Sequence, residues 1–209
     1  VVMPAMKLFP LLCINGKAHG VSMTTKEIIM RKSGILMHVT SLPSPYGIGS
    51  MGKCAYEFVD FLHTSGQTYW QVLPLNPTGY GDSPYQSFSS YAGNHYLIDL
   101  DMLIEEQLLT QEEADAVCWS GDENRVDYGC LFENRCKLLH LAYARFSKNE
   151  EFQQFVTENA DWMEDYALFM ALKERFHGSP WYECSLSLMM RIPEMVRSIR
   201  QELQDAFQF

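Results

Sequence analysis

Pro74-Leu75-Asn76-Pro77-Thr78-Gly79-Tyr80-Gly81-Asp82-Ser83-Pro84-Tyr85-Gln86 is the stretch on which the reading of this chain depends. Just before it, Tyr69-Trp70-Gln71-Val72-Leu73 is an apolar run of strand length and reads as a buried strand. The stretch itself is neither helix nor strand, because Pro77, Gly79, Gly81 and Pro84 break both. It is a shaped loop at the C-terminal end of a strand. Tyr80 and Tyr85 offer flat apolar faces that suit a pyranose ring, each with a hydroxyl left for a polar partner. Asp82, Ser83 and Gln86 add short acceptors and donors. The same composition also suits a rigid structural loop with its tyrosines in water, since loops are rich in turn residues whatever they do.

Upstream, Gly34-Ile35-Leu36-Met37-His38-Val39 is a second strand-length apolar run, as expected for a strand buried on both faces. A loop with Pro43, Pro45, Gly47 and Gly49 follows it. Ala55, Phe58, Val59 and Leu62 then recur at helical spacing, and Gly66 caps that helix. Strand, loop, helix, strand is one βαβ unit, which implies two parallel strands. Gly47-Ile48-Gly49-Ser50-Met51-Gly52 within it matches the G-x-G-x-x-G dinucleotide pattern. That pattern needs its first glycine straight off the strand and an acid at the end of the second strand. Here Thr40 to Tyr46 intervene, and the later positions hold Gln71 and Asn76. Nucleotide binding is not expected.

Pro77 to Ser89, running on through Ala92-Gly93-Asn94 to Leu97-Ile98-Asp99-Leu100, closely resembles the 4-α-glucanotransferases, the amylomaltases or disproportionating enzymes. His38-Val39-Thr40-Ser41-Leu42-Pro43-Ser44-Pro45-Tyr46-Gly47-Ile48-Gly49 resembles the first strand and loop of the same family. Two long ungapped motifs in the right order make a specific signal. The resemblance begins near Met30 and continues, more weakly, to the C-terminus.

What the resemblance implies is an α/β fold: the N-terminal part of a (β/α)8 barrel with an inserted, mostly helical subdomain. Such barrels take about 250 residues or more. Residues 30–96 would hold the first two barrel strands and the glucan-binding loop, and 97–209 the helical insertion. Residues 1–29 read as a leader outside the domain. The implied reaction transfers α-1,4-glucan segments between maltodextrins through a glycosyl-enzyme, which requires two carboxylates about 5 Å apart. Family members take these from later strands, and Arg-x-Asp-His, Glu-Asp-Leu-Gly and His-Asp-Asn runs are all absent here. No catalytic residue is therefore assigned, and the 209 residues are expected to be inactive by themselves. Tyr80, Asp82, Ser83 and Tyr85 are the substrate-binding candidates by resemblance, with Tyr85 stacking beside the cleaved bond. The partners implied are α-1,4-glucans and maltooligosaccharides. A competing expectation is a non-catalytic carbohydrate binder, or an unstable remnant of a truncated gene.

Arg125-Val126-Asp127 is similar to the family's nucleophile motif, but Tyr128-Gly129 follows where a histidine belongs. Asp127 is expected instead to cap the helix that it opens. Thr110-Gln111-Glu112-Glu113 has the form of a capping box, and 96–100 reads as a short strand or extended segment. Phe132, Cys136, Leu139, Tyr143 and Phe146 trace one face of the next helix, and Trp162, Tyr166, Phe169 and Met170 a face of the one after. Gly178-Ser179-Pro180 ends that helix, and Pro193 opens a last one with Val196, Ile199, Leu203 and Phe207 inward.

Composition narrows the partners. A formal net charge of -10 argues against nucleic acid or an anionic membrane surface, and is compatible with a neutral glucan. The six cysteines form no Cys-x-x-Cys pair, and the six histidines no His-x-x-x-His pair. Thiols in a reducing cytoplasm are expected, with no metal and no cofactor. The apolar run 8–14 is broken by Pro10, too short for a span of about 20 residues, and has no cleavage site close behind it.

Overall fold

A computed structural model describes residues 31–119, 122 and 124–209. The leader expected at 1–29 lies outside the described residues. The described chain divides into two compact units. The first holds 31–88 and 93–145; the second holds Ser89–Ala92 and Phe146–Phe209.

Strand β1 (Gly34–Leu36) and strand β2 (Tyr69–Gln71) lie parallel, with Gly34 opposite Tyr69 and Leu36 opposite Gln71. Helix α1 (Lys53–Thr64) connects them, which completes the βαβ unit. It ends at Ser65, and Gly66 follows at φ 70°, a left-handed position that glycine occupies without a Cβ penalty. Val39, Leu42, Met51, Ala55 and Leu97 form the core beside the strands, with Met37, Phe58, Trp70, Val72 and Leu75 packed on it. The Trp70 indole N–H donates to the Met37 carbonyl at 2.7 Å, and its ring meets Phe58 edge-on at 4.9 Å. The strands are not buried on both faces, however. Leu36 is 59% exposed, because the described sheet has two strands and nothing covers its far side among the described residues.

The expected strand at 96–100 is instead a 3-10 turn, His95–Leu97, leading into helix α2 (Leu100–Glu105). Asn94 causes this, because its side chain accepts the Tyr96 N–H at 2.9 Å and caps the turn. The capping box is present at helix α3 (Gln111–Asp115): Thr110 accepts the Glu113 N–H, and Glu113 accepts the Thr110 N–H. Asp127 caps helix α4 (Tyr128–Arg145) through the Cys130 N–H at 3.0 Å, as its position implied. The inward face of α4 differs from the expected one. Leu131, Arg135, Leu138, Leu139 and Ala142 are buried, whereas Phe132 is 76% exposed. Leu139 faces in as expected and Cys136, Tyr143 and Phe146 are half-buried, but the centre of the buried face is shifted to Arg135, which turns Phe132 outward.

The second unit is helical: α5 (Glu150–Glu158), α6 (Ala160–Arg175), α7 (Leu186–Met189), α8 (Pro193–Glu202) and α9 (Gln204–Gln208). Pro193 stands in the first turn of α8, where its missing N–H costs no hydrogen bond. Ile199 faces in, Val196, Leu203 and Phe207 are half-buried, and the helix breaks at Leu203. No helix among the described residues is long and apolar enough to cross a membrane.

Candidate functional site

The loop leaves β2 through Val72 and Leu75, which stay on the core, and through Pro77, which is fully buried. Thr78 and Ser87 then form an antiparallel bridge that closes residues 79–86 into a tip. Within the tip the Gly79 carbonyl accepts the Asp82 N–H at 3.1 Å. Gly81 sits between them at φ 94°, where a type II turn requires glycine. A second turn follows: the Ser83 carbonyl accepts the Gln86 N–H at 3.0 Å, and Ser83 Oγ accepts the Tyr85 N–H at 3.3 Å. Asp82, at φ 56°, joins the two turns in the left-handed region that aspartate tolerates better than most residues.

These turns place the four sequence-derived site residues on one short tip. Tyr80 is fully exposed and Tyr85 is 72% exposed, so each ring has an open face. Asp82 and Ser83 are half-buried between them in sequence. Partial burial raises the Asp82 pKa from its ordinary value. The Ser83 hydroxyl accepts one backbone N–H and still has its proton to donate.

Two tyrosines that the sequence reading passed over stand near this carboxyl. Burial, followed by neighbouring charges that include Asp82, pushes Tyr96 up to about 12. Burial and then Asp82 raise Tyr128. The rings of Tyr96 and Tyr128 are 6.4 Å apart. In the sequence Tyr128 follows a helix-capping aspartate and Tyr96 lies in an apolar run, so neither points to the loop.

The segment 94–99 holds the loop's base. The Asn94 N–H donates to the Leu75 carbonyl at 2.8 Å, and the Met51 N–H donates to the Leu97 carbonyl at 2.9 Å. Asp99 accepts the Met102 N–H at 3.0 Å and the Ser50 hydroxyl. Below them Arg135 is sealed from solvent, donating Nη2 to the carbonyls of Tyr96 (3.2 Å) and Ile98. Burial lowers its pKa to about 10, against the charge of Asp99, and its guanidinium lies 5.6 Å from the Trp119 ring. His95 is held near a pKa of about 4, first by burial and then by the Arg135 charge.

This packing also accounts for the glycine pattern. A Cβ at Gly49 would lie 2.1 Å from the Val39 carbonyl oxygen, and one at Gly52 would lie 1.9 Å from Asp99 Oδ2. Gly47, at φ 77°, lies against Trp119. The chain's own backbone and side chains fill the space a pyrophosphate would need, so the glycines serve packing.

Chemically, the tip offers two open aromatic faces flanking a carboxyl and a hydroxyl on a loop with little backbone freedom. No group of His, Cys, Asp and Glu among the described residues is arranged to hold a metal.

Comparison with known proteins identifies the family. The family model for 4-alpha-glucanotransferase matches residues 37–209. The 4-alpha-glucanotransferase of Clostridium butyricum is 43% identical over 171 residues, which are 81% of this chain and 35% of that protein. The Thermus thermophilus protein of the same name is 44% identical over 86% of this chain and 36% of its own length. Among solved structures, an amylomaltase from Streptococcus agalactiae in complex with acarbose superposes with a TM-score of 0.80 at 41% identity, covering 85% of this chain and 37% of that one. These matches define a class, that of the glucanotransferases. The chain belongs to the 4-alpha-glucanotransferase family, and it spans about a third of the length of these relatives.

Proposed function

We propose that this chain carries the substrate-loop portion of a 4-α-glucanotransferase that moves α-1,4-glucan segments between maltodextrins by a retaining, glycosyl-enzyme route. In this reading β1 and β2 are the first two strands of a (β/α)8 barrel within 30–96, and 97–209 is its helical insertion. Tyr85 stacks beside the cleaved bond, Asp82 and Ser83 bond sugar hydroxyls, and Tyr80 meets glucan farther out. The observation that carries the reading is the tip itself, with two exposed tyrosine faces fixed by back-to-back turns at the C-terminal end of a parallel strand. Active sites of such barrels gather at that end. The residues that cut and form bonds lie elsewhere in a complete enzyme, because a retaining mechanism needs a close carboxylate pair and Asp127 is engaged as a helix cap. A net charge of -10 and the unbridged thiols of the described residues fit a cytoplasmic protein acting on neutral glucan.

The test has two arms on the purified chain. Titration with maltoheptaose or acarbose, followed by amide chemical shifts, is expected to move resonances of 79–86 saturably. Incubation with maltotriose is expected to release no glucose. Shifts absent from the tip refute the binding assignment. Transfer activity refutes the division of labour and directs attention to Asp82 or Asp127.

A further inference from the structure

Cys118 follows α3, and Cys130 lies in the first turn of α4. The Cys130 thiol donates to the Cys118 carbonyl oxygen at 2.8 Å, although twelve positions separate the two residues. The side chain of Asn134 approaches the same sulfur, with Nδ2 at 3.5 Å. Cys118 is exposed, Cys130 is half-buried, and neither is bridged. One cysteine thus reaches solvent, and the other has its sulfur against the first one's backbone.

From this juxtaposition we infer that Cys118 and Cys130 form a reversible disulfide, made by exchange with a small-molecule disulfide. A disulfide joins residues whose Cα atoms are about 4.4–6.8 Å apart. The contact of the Cys130 sulfur with the Cys118 carbonyl oxygen sets the two residues side by side, and closing the bond requires rotation of the exposed Cys118 side chain toward that sulfur. The chemistry proceeds in two exchanges. The Cys118 thiolate attacks the small disulfide RSSR, forming a mixed disulfide and releasing RS⁻. The Cys130 thiolate then attacks the Cys118 sulfur of that adduct, forming the internal bond and releasing the second RS⁻. The two protons lost by the cysteines appear on the two RSH products, and the small disulfide takes the two electrons.

The bond would close residues 118–130 into a ring that includes Trp119 and Tyr128. Trp119 packs on Tyr46, ring centroids 6.3 Å apart, and against Gly47. Tyr128 stands by Tyr96 and within the field of Asp82. Oxidation thereby ties the segment packed on Tyr46 and Gly47 to the start of α4.

The experiment treats the reduced chain with glutathione disulfide, quenches with acid, alkylates the remaining thiols under denaturing conditions, and maps peptides by mass. Wild type is expected to lose two of its six alkylatable thiols and yield a linked Cys118–Cys130 peptide. Cys130→Ser is expected to accumulate glutathione on Cys118, because nothing resolves the adduct. Cys118→Ser is expected to keep its thiols under the same exposure. The oxidised wild type should also melt higher than the reduced form, with the difference erased by dithiothreitol and absent in both variants. A persistent glutathione adduct on Cys118 of wild type, or linkage of other cysteines in its place, overturns the proposal.

Discussion

Arg135 in the first unit and Arg200 in the second are both helical and both held by more than one contact, yet their surroundings differ. Arg135 is closed off from water, donates to two backbone carbonyls, and leaves Nε and Nη1 without an acceptor among the described residues. Arg200 lies at the surface, paired through both terminal nitrogens with Glu164 at 3.0 and 3.2 Å, and its guanidinium is 4.3 Å from the Phe207 ring. The first unit has a sealed interior, with Val39, Leu100, Leu103 and Leu131 fully buried. In the second, Ala92, Ala171 and Ile199 are the buried apolar residues among those described, while Trp181, Tyr182, Leu186 and Met190 are exposed. Contact number alone does not set what a side chain contributes. The solvent that the contact replaces does, because attraction between charges is weakened by water and an unpaired group is costly only where water cannot reach it.

The largest effect that follows is on Arg135. Arg135→Ala strips the buried carbonyls of Tyr96 and Ile98 of their donor, and should destabilise the first unit by about 3–5 kcal/mol. Arg200→Ala loses an exposed pair and should cost at most about 1 kcal/mol, less in high salt. Urea unfolding followed by circular dichroism measures both. Equal costs would show that the two interiors are alike in practice.

A medium effect belongs to His95. Its pKa in the folded chain is about 4, against an ordinary 6.5. Above 6.5 the imidazole is neutral in both states, and its contribution to stability is complete. As pH falls below 6.5 the unfolded chain takes up the proton first, so stability declines until pH reaches about 4, where the folded chain is protonated too. The gap amounts to about 3 kcal/mol across that window. His95→Gln should flatten the dependence of melting temperature on pH between 6.5 and 4, read as the difference from wild type. An unchanged slope would mean that His95 is solvated.

The sequence made the local devices legible because each is written in a few adjacent residues. The parallel βαβ unit, the Thr110 capping box, the Asp127 cap, Gly66 and Pro193 are all of that kind. What it concealed depends on partners far along the chain. Asn94 converts an apparent strand into a turn, Arg135 shifts the inward face of α4 away from Phe132, and Asp99 explains Gly52 from 47 positions away. The site divides in the same way. Tyr80, Asp82, Ser83 and Tyr85, the candidates, fall within one short loop and are legible from it. Tyr96 and Tyr128, distant from it in sequence, come within the field of Asp82 only in the folded chain.

The smallest effect on stability falls on the two tip tyrosines, and it separates binding from bracing. Had their rings held the loop together, they would be buried against it. Instead the backbone turns at Gly79–Asp82 and Ser83–Gln86 and the Thr78–Ser87 bridge give the tip its shape, and the rings of Tyr80 and Tyr85 stand out from it. Tyr80→Ala and Tyr85→Ala should therefore each change folding stability by no more than about 0.5 kcal/mol, as substitutions at open surface do. Binding should respond differently. A tyrosine face on a pyranose is worth about 1 kcal/mol, which corresponds to roughly fivefold in Kd. Each variant should weaken maltoheptaose binding by about that factor, while Tyr85→Phe, which keeps the face and removes only the hydroxyl, should restore most of the Tyr85→Ala loss. In a complete enzyme Tyr85→Ala should lower kcat/KM by about tenfold, because a stack beside the cleaved bond is strengthened as the ring flattens toward the transition state. Melting curves and titrations on the same three variants decide the matter. A fall of several degrees in melting temperature with unchanged Kd would make the tyrosines braces of the loop, and the tip would lose its claim to the sugar.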